Sequence, residues 1–376
     1  MIRLSKSQVA SSILIRLALI VQISLFLQSE ASGQIVQGRI LDANSQEPIE
    51  GVHVFINGTK NGVVSDKNGF YRFNAPNRPE FTLIFSHVSY DVQTFDFKGF
   101  AEFTKLDVQL KHATNLVGGV MVTARRDRKR ERRLKEFKSF FFGKYHNPEL
   151  IEIENEYVLA FEKVKNGGFQ VQGQPVLKVM NKHLNYEIYF HLISFNSKNK
   201  SFFGYSDFSD LGSSYHLKPD SVEANRHTSY KGSLRHFFYA LVNDKLDEEG
   251  FAASILKKVS LNGDIATHIR HYFVSTPLEF SDEKGKKGNI EMTRLDSGLY
   301  ELYVDGFIEI AYFDELDKEG GPQISSLVLK GPVLVNKQGI VFNQEQVQID
   351  DYLLNEGVYY ALPFEYLPMA KDTPGN

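Results

Sequence analysis

The sequence predicts a mainly β protein: a seven-stranded antiparallel β-sandwich over residues 34–112, followed by a β-rich α+β domain over residues 151–368. Three observations carry this reading. The chain holds 30 Phe and 18 Tyr and no Trp, and such rings suit pleated, half-buried faces. Short β-branched and aromatic runs alternate with a period of two, the strand period. Between them fall Asn57-Gly58, Asn61-Gly62 and Asn68-Gly69, and Asn-Gly is a strong hairpin signal because both residues tolerate positive φ. With 376 residues, 42% hydrophobic and 24% charged, the chain has globular composition and length for two domains.

Residues 1–33 read as a secretory signal. Arg3 and Lys6 open it, Leu17 to Leu27 is apolar except for Gln22 and Ser24, and Ala31-Ser32-Gly33 supplies small residues before Gln34. The apolar core is short of the ~20 residues of a spanning helix. Retention as an anchor is the alternative, since Arg16 extends the charged flank. Cleavage would remove three bases and one acid, making the net charge of −3 more negative, which disfavours nucleic acid as a partner. Cysteine is absent. Thiol chemistry and a lipid-modified cysteine are therefore excluded, and the expected location is the periplasm or the outer membrane's inner face, not as a lipoprotein.

Within the first domain, Ile35–Leu41 alternates, and Pro48 and Gly51 turn the chain into Val52–Ile56. Val63–Ser65 and Phe70–Phe73 follow, joined through Asp66-Lys67-Asn68-Gly69, where Asp66 bonds forward to the turn and Gly69 takes the left-handed position. Asp66-x-Asn68-Gly69 also spells half a calcium loop, but the later ligands are missing. Phe81–Ser86, Val92–Phe97 and Leu106–Leu110 complete the sandwich. His53, on the face opposite Val52 and Val54, reads as a solvated or sheet-face histidine.

Gly38-Arg-Ile-Leu-Asp42, Pro48-Ile-Glu-Gly51-Val52, Gly58-Thr59, Ser65-Asp66-Lys-Asn-Gly69-Phe70-Tyr71 and His87-Val-Ser-Tyr90 resemble the carboxypeptidase-like regulatory domain of Bacteroidetes type. The resemblance implies a transthyretin-like (prealbumin-like) sandwich, as found beside metallocarboxypeptidases and at the N-terminus of TonB-dependent receptors. Leu116-Val-Gly-Gly-Val-Met-Val-Thr-Ala124 is similar to the segment that follows the sandwich in those receptors. A plug and a long barrel do not fit in the remaining residues, so transport is not carried over.

Residues 113–150 read as a connector containing a basic amphipathic helix. Arg125, Arg126, Arg128, Lys129, Arg130, Arg132 and Arg133 cluster before Leu134, Phe137, Phe140 and Phe141 at helical spacing. One reading is contact with an anionic membrane surface; the other is a solvated helix end. In the second domain Leu184–Ile193, Thr267–Ser275, Leu299–Val304, Phe307–Phe313, Ser325–Leu329 and Val341–Phe342 read as strands, and Ser233–Leu246 as a helix capped by Ser233. Residues 369–376 read as a flexible tail.

The run holding Asn225, Arg226, Tyr230, Ser233, Arg235 and His236 is similar to secreted Bacteroidetes proteins that carry this sandwich before an uncharacterised β-rich region. Arg226, Tyr230, Arg235 and His236 are candidate interaction residues, with helix capping and packing as the competing reading. His146-Asn-Pro-Glu149, with His268 or His271 downstream, spells the ligand pattern of a zinc peptidase. At average residue usage one such match is expected by chance. Asp314-Glu-Leu-Asp317-Lys-Glu319 reads as a solvated acidic turn before it reads as a cation site. There is no nucleophile elbow, His-Glu-x-x-His or phosphate loop. No catalytic, cofactor or metal residue is therefore assigned. The expected function is non-catalytic binding or scaffolding in the cell envelope, with an envelope protein or a glycan as partner.

Overall fold

The computed structural model describes residues 34–368, apart from 76–79, 99–102, 114–126, 166, 199, 213–217, 261–270, 279–288, 317–319 and 352–356. The protein is mainly β. Its first unit packs two sheets. One holds β1 (Gln34–Asp42), β4 (Phe70–Ala75), β7 (Phe103–Lys105) and β8 (Val108–Leu110). The other is ordered β3 (Gly62–Val64), β2 (His53–Ile56), β5 (Glu80–Ser86), β6 (Gln93–Lys98).

Alternation decides what goes inside. Val36 and Ile40 of β1, Tyr71 and Phe73 of β4, and Leu83 and Phe85 of β5 fill the core between the sheets. The described strands here number eight, one more than expected, because Phe103–Lys105 forms a strand of its own, set off by Leu106 and Asp107 from Val108–Leu110, which is what forms of the predicted Leu106–Leu110. Tyr71 Oη donates to the Leu106 carbonyl at 2.8 Å across this break. The sandwich is also not wholly antiparallel: β1 pairs in parallel with β7 and β8. The Asp66 turn forms as read, its carboxylate accepting from the Asn68 and Phe70 amides at 2.8 and 2.9 Å.

The second unit begins with α1 (Arg128–Phe142). Asp127 caps it, accepting from the amides of Lys129 and Arg130. Phe137, Phe141 and Phe142 leave the helix on its buried side. They meet a six-stranded sheet in which β13 (Tyr186–Asn196) is central. Along one edge of β13 lie β12 (Val176–Asn181), with β9 (Ile151–Ile153) outside it, and β11 (Phe169–Val171), with β10 (Phe161–Lys163) outside that. On the other edge lies β14 (Ser201–Asp210).

β13 is buried from both sides. Tyr186, Ile188, Phe190 and Leu192 face α1, while Tyr189 and His191 turn to the sandwich. There the outer face of β2 and β5 receives them: Phe55 and Ile84 are 0% exposed although they lie outside the sandwich core. His53 is accordingly a half-buried sheet-face histidine, its ring 5.4 Å from Tyr189 and 6.3 Å from His191.

The third unit has its own core, so residues 151–368 hold two hydrophobic clusters, not one. The polar helix α2 (Pro219–Tyr230) leads into α3 (Leu234–Val242), and Ser233 caps α3 by accepting from the His236 amide. Phe237, Phe238 and Leu241 of α3 pack between a five-stranded and a three-stranded sheet. The larger sheet is ordered β16 (His271–Pro277), β15 (Phe251–Ser260), β19 (Phe307–Leu316), β20 (Pro322–Leu329), β22 (Val347–Asp351); the smaller joins β17 (Glu291–Arg294), β18 (Tyr300–Tyr303) and β21 (Val333–Val335). Val341 makes only an isolated bridge to Val335, so the strand expected at Val341–Phe342 does not form.

Residues 357–368 return across all three units as a strap. Val358 and Tyr359 enter the second core, and the Phe364 amide donates to the Gly58 carbonyl of the sandwich at 2.6 Å. Among the described residues no helix is long and apolar enough to cross a membrane.

Candidate ligand-binding cleft

Where the second and third units meet, they leave a cleft of about 1110 Å³. One wall comes from the C-terminal end of α1 and the β13–β14 hairpin, with Phe140, Phe202 and Phe203. The other comes from β22 and the segment after β21, with Ile340, Val341 and Ile349. Phe364 of the strap lines the cleft and also a smaller hollow of about 240 Å³ against Asn57 and Gly58. The aromatic wall is anchored, since Phe202 lies 5.3 Å from Phe141 and 5.8 Å from Phe190 of the core.

Three lysines reach the cleft: Lys144 after the α1 cap Gly143, Lys200 in the β13–β14 turn, and Lys330 after β20. Among the described residues Glu345 is the single carboxylate residue lining it, and Gln344, Gln348 and Ser201 add neutral hydrogen-bonding groups. The lining thus combines apolar area, neutral polar groups and net positive charge, the mixture of a recognition site more than of a packing defect.

The joint between sandwich and second unit fixes one side of this site. The Gly58 amide donates to the Ser206 carbonyl at 2.8 Å and the Phe208 amide to the Thr59 carbonyl at 2.9 Å. Asn57 Oδ1 accepts from the Ser206 amide at 2.9 Å. Gly58 has φ +71°, and a Cβ there would stand 2.7 Å from the Phe364 ring, so both conformation and space require glycine. Beside the joint, burial pushes the Asp207 carboxyl up to about 7. Lys60 bonds Asp210 at 2.8 Å and lies 4.8 Å over the Tyr186 ring.

The candidate interaction residues of the α2–α3 run are brought together, but inside the fold. Arg235 donates to the carbonyls of Pro363, Phe364 and Tyr366 at 3.1, 3.1 and 2.7 Å, clamping the strap. His236 is 0% exposed; its Nδ1 accepts from the Gly232 amide at 3.0 Å and its Nε2 lies 2.9 Å from Glu249, which Lys231 also binds. Burial nonetheless lowers the imidazole pKa. Tyr230 is buried against His236, 5.0 Å between rings, and its hydroxyl is pushed up to about 12 by desolvation. Arg226 donates to the Leu184 carbonyl at 3.0 Å with its guanidinium 4.2 Å from the Tyr186 ring centre. Arg226, Arg235 and His236 direct their polar atoms to backbone groups and to the carboxylates of Asp210 and Glu249 within the fold, and of the four only Arg235 lines the cleft.

The basic helix splits in two. Arg130 and Arg133 donate inward to the carbonyls of Glu156 and Phe161, whereas Arg128, Lys129 and Arg132 are exposed. Arg125 and Arg126 lie outside the described residues. Of the zinc-peptidase pattern, His146 Nδ1 is 2.6 Å from the Gly143 carbonyl and Glu149 is exposed. His268 lies outside the described residues and His271 starts β16. Among the described residues no three His, Asp or Glu side chains are placed to hold a metal. Asp314 is in β19, while residues 317–319 of the acidic turn lie outside the described residues.

Sequence reasoning missed the cleft. Lys144, the Lys200–Phe203 hairpin segment and Lys330 come from three separate parts of the chain, and no local pattern links them.

Residues 36–122 match the family model of the CarboxypepD_reg-like domain. The sandwich is therefore a carboxypeptidase regulatory-like domain, with the strand turns that carry the resemblance in place. Among solved structures, a type II cohesin–X-dockerin complex of Acetivibrio cellulolyticus contains a chain 20% identical over 30% of this chain and 78% of that one, with a TM-score of 0.21. A candidate carbohydrate-binding protein of Bacteroides uniformis is 9% identical over 81% of this chain and 99% of its own, with a TM-score of 0.18. A candidate membrane-associated protein of unknown function from Bacteroides fragilis is 9% identical over 84% of this chain and 94% of its own, with a TM-score of 0.17. TM-scores this low assign neither fold nor ligand to this chain. No curated protein matches it.

Proposed function

We propose that this chain is a non-catalytic protein of the cell envelope, secreted by its N-terminal signal, that binds an envelope protein in the cleft between its second and third units. The observation that carries the reading is the cleft itself: about 1110 Å³, walled by anchored aromatic rings and carrying three lysines against one glutamate. The regulatory-like sandwich acts as a scaffold, holding one cleft wall through the Asn57–Lys60 turn and the strap. The exposed Arg128, Lys129 and Arg132 supply a contact for an anionic membrane surface, each charge contributing about 1 kcal/mol near such a surface.

A glycan partner is the second reading. Half-buried Phe202 and Phe203 beside Gln344 and Gln348 offer ring faces for sugar C–H groups and amides for hydroxyls. A photoreactive phenylalanine analogue in place of Phe203, irradiated in intact cells before osmotic-shock fractionation, tests both. We expect a covalent protein adduct in the envelope fraction, and none from the same analogue at Val88, which is 80% exposed on the sandwich. Equal labelling from both positions, or none from Phe203, would reject the cleft as a binding site.

A further inference from the structure

The walls of the cleft carry more information than their composition. Side chains of a strand alternate between two faces, so a ligand lying on a sheet face meets every second residue. The cleft instead meets consecutive residues of two strands: Ser201, Phe202 and Phe203 of β14, and Val347, Gln348 and Ile349 of β22. Leu327 and Ile349 are paired on the core side of their sheet, while Gln348 belongs to the other side. Only the strand edge presents both sides together, so the cleft looks onto sheet edges.

The topology agrees. Among the described residues β22 pairs only with β20, and β14 pairs only with β13 within its sheet. The sandwich covers the outer edge of β14 at Ser206 and Phe208. The stretch from Ser201 to Phe203 is left facing the cleft. An uncovered edge offers alternate amides and carbonyls to any extended chain. Lys144, Lys200 and Lys330 surround these edges and form no ion pair among the described residues, with Glu345 the one opposing charge. Lysines at an edge deter self-pairing of neutral strands and favour an acidic one. The cleft also exceeds the roughly 300–1,000 Å³ of most small-ligand pockets.

We infer that the cleft accepts an acidic, extended peptide segment of a partner protein, added as a strand to the edge of β14 or β22. This rests on the cleft being the binding site and narrows its ligand to one class. Main-chain bonds would supply affinity, the phenylalanines would take alternate apolar side chains, and the lysines would select acidic ones.

The test pans the full chain against displayed random peptides of about ten residues, long enough to span a strand. Enriched sequences should alternate Asp or Glu with apolar residues. N-methylating every second backbone amide of such a peptide should weaken binding about tenfold or more in one phase and little in the other, because only one phase points at the sheet edge. The double variant K200E/K330E, checked for an unchanged circular dichroism spectrum, should weaken the same peptides about tenfold, with a steeper loss at low salt. Binding indifferent to the methylation phase, or unchanged in K200E/K330E, would overturn the inference. So would displacement of the peptide's own weak signal by a galacturonate oligomer that binds more tightly and fails in K200E/K330E; that outcome would keep the cleft and change the ligand to an acidic glycan. No labelling from the Phe203 probe would reject the site as well.

Discussion

His191 stands in β13 with 2% of its surface exposed. Its ring is stacked on Phe55 at 4.6 Å and its Nδ1 lies 2.6 Å from the Ser86 hydroxyl, both in the sandwich. Its Nε2 has no partner among the described residues. Desolvation lowers its pKa from 6.5 to about 3, with His53 adding repulsion. His53 and His87 are lowered for the same chief reason. The folded protein therefore binds fewer protons than the unfolded chain between those values, so stability is full above pH 6.5 and falls as pH drops toward 3. The upper limit of this contribution is roughly 5 kcal/mol, because each tenfold loss of proton affinity is worth about 1.4 kcal/mol. His191→Gln keeps an amide for Ser86 and removes the titration. Urea unfolding between pH 7 and about 4 should lose at least about 1 kcal/mol less in the variant than in the parent. Parallel pH profiles would show that His191 does not govern acid sensitivity.

At the scale of elements, the strap and α1 show how few long-range bonds join the units. α1 is a sequence-legible helix: a basic run followed by phenylalanines at helical spacing. Its packing against β13 follows from that stripe. The strap has no such signature, because residues 357–368 are short turns whose shape comes from what they touch. Arg235 supplies three of those contacts, and hydrogen bonds from a charged donor are each typically worth about 1.5–3 kcal/mol. Ending the chain after Leu362 removes all three acceptors together with the Phe364–Gly58 bond. Because the freed guanidinium regains water in the shortened chain, the expected loss is at least about 3 kcal/mol, less than the sum of the bonds, or several degrees in Tm. Arg235→Met should cost a similar amount in the intact chain and much less in the shortened one, since both changes break the same interaction. Equal costs in the two backgrounds would place the role of Arg235 elsewhere.

At the scale of the whole molecule, the sandwich is not a tethered bead. Phe55 is fully buried beneath His191 of β13, and Ile84, its cross-strand partner outside the sandwich core, is fully buried beside it. Expressed alone, residues 34–113 should bind a hydrophobic fluorescent dye and melt below the full chain; a dye-silent fragment of equal Tm would contradict an energetically coupled interface. The sandwich strands were legible because their register is set locally, by turns such as Asp66–Gly69. The later strands were harder. β9, β10 and β11 have three residues each and gain their register from distant partners, while β14 carries Gly204, Ser206 and Asp207 and reads as polar loop. α2 lacks an apolar stripe, so its helix was not legible either. The cleft was hidden for a related reason: its lysines are adjacent only after two sheets have been built. The Asn57–Lys60 turn now carries a different meaning from the one its Asn-Gly pair announces. Hairpin tips are ordinarily where a chain tolerates an inserted tag or a substituted residue. This tip is a tenon seated between β14 and the strap, so the most loop-like letters in the sequence belong to a joint with almost no freedom to vary.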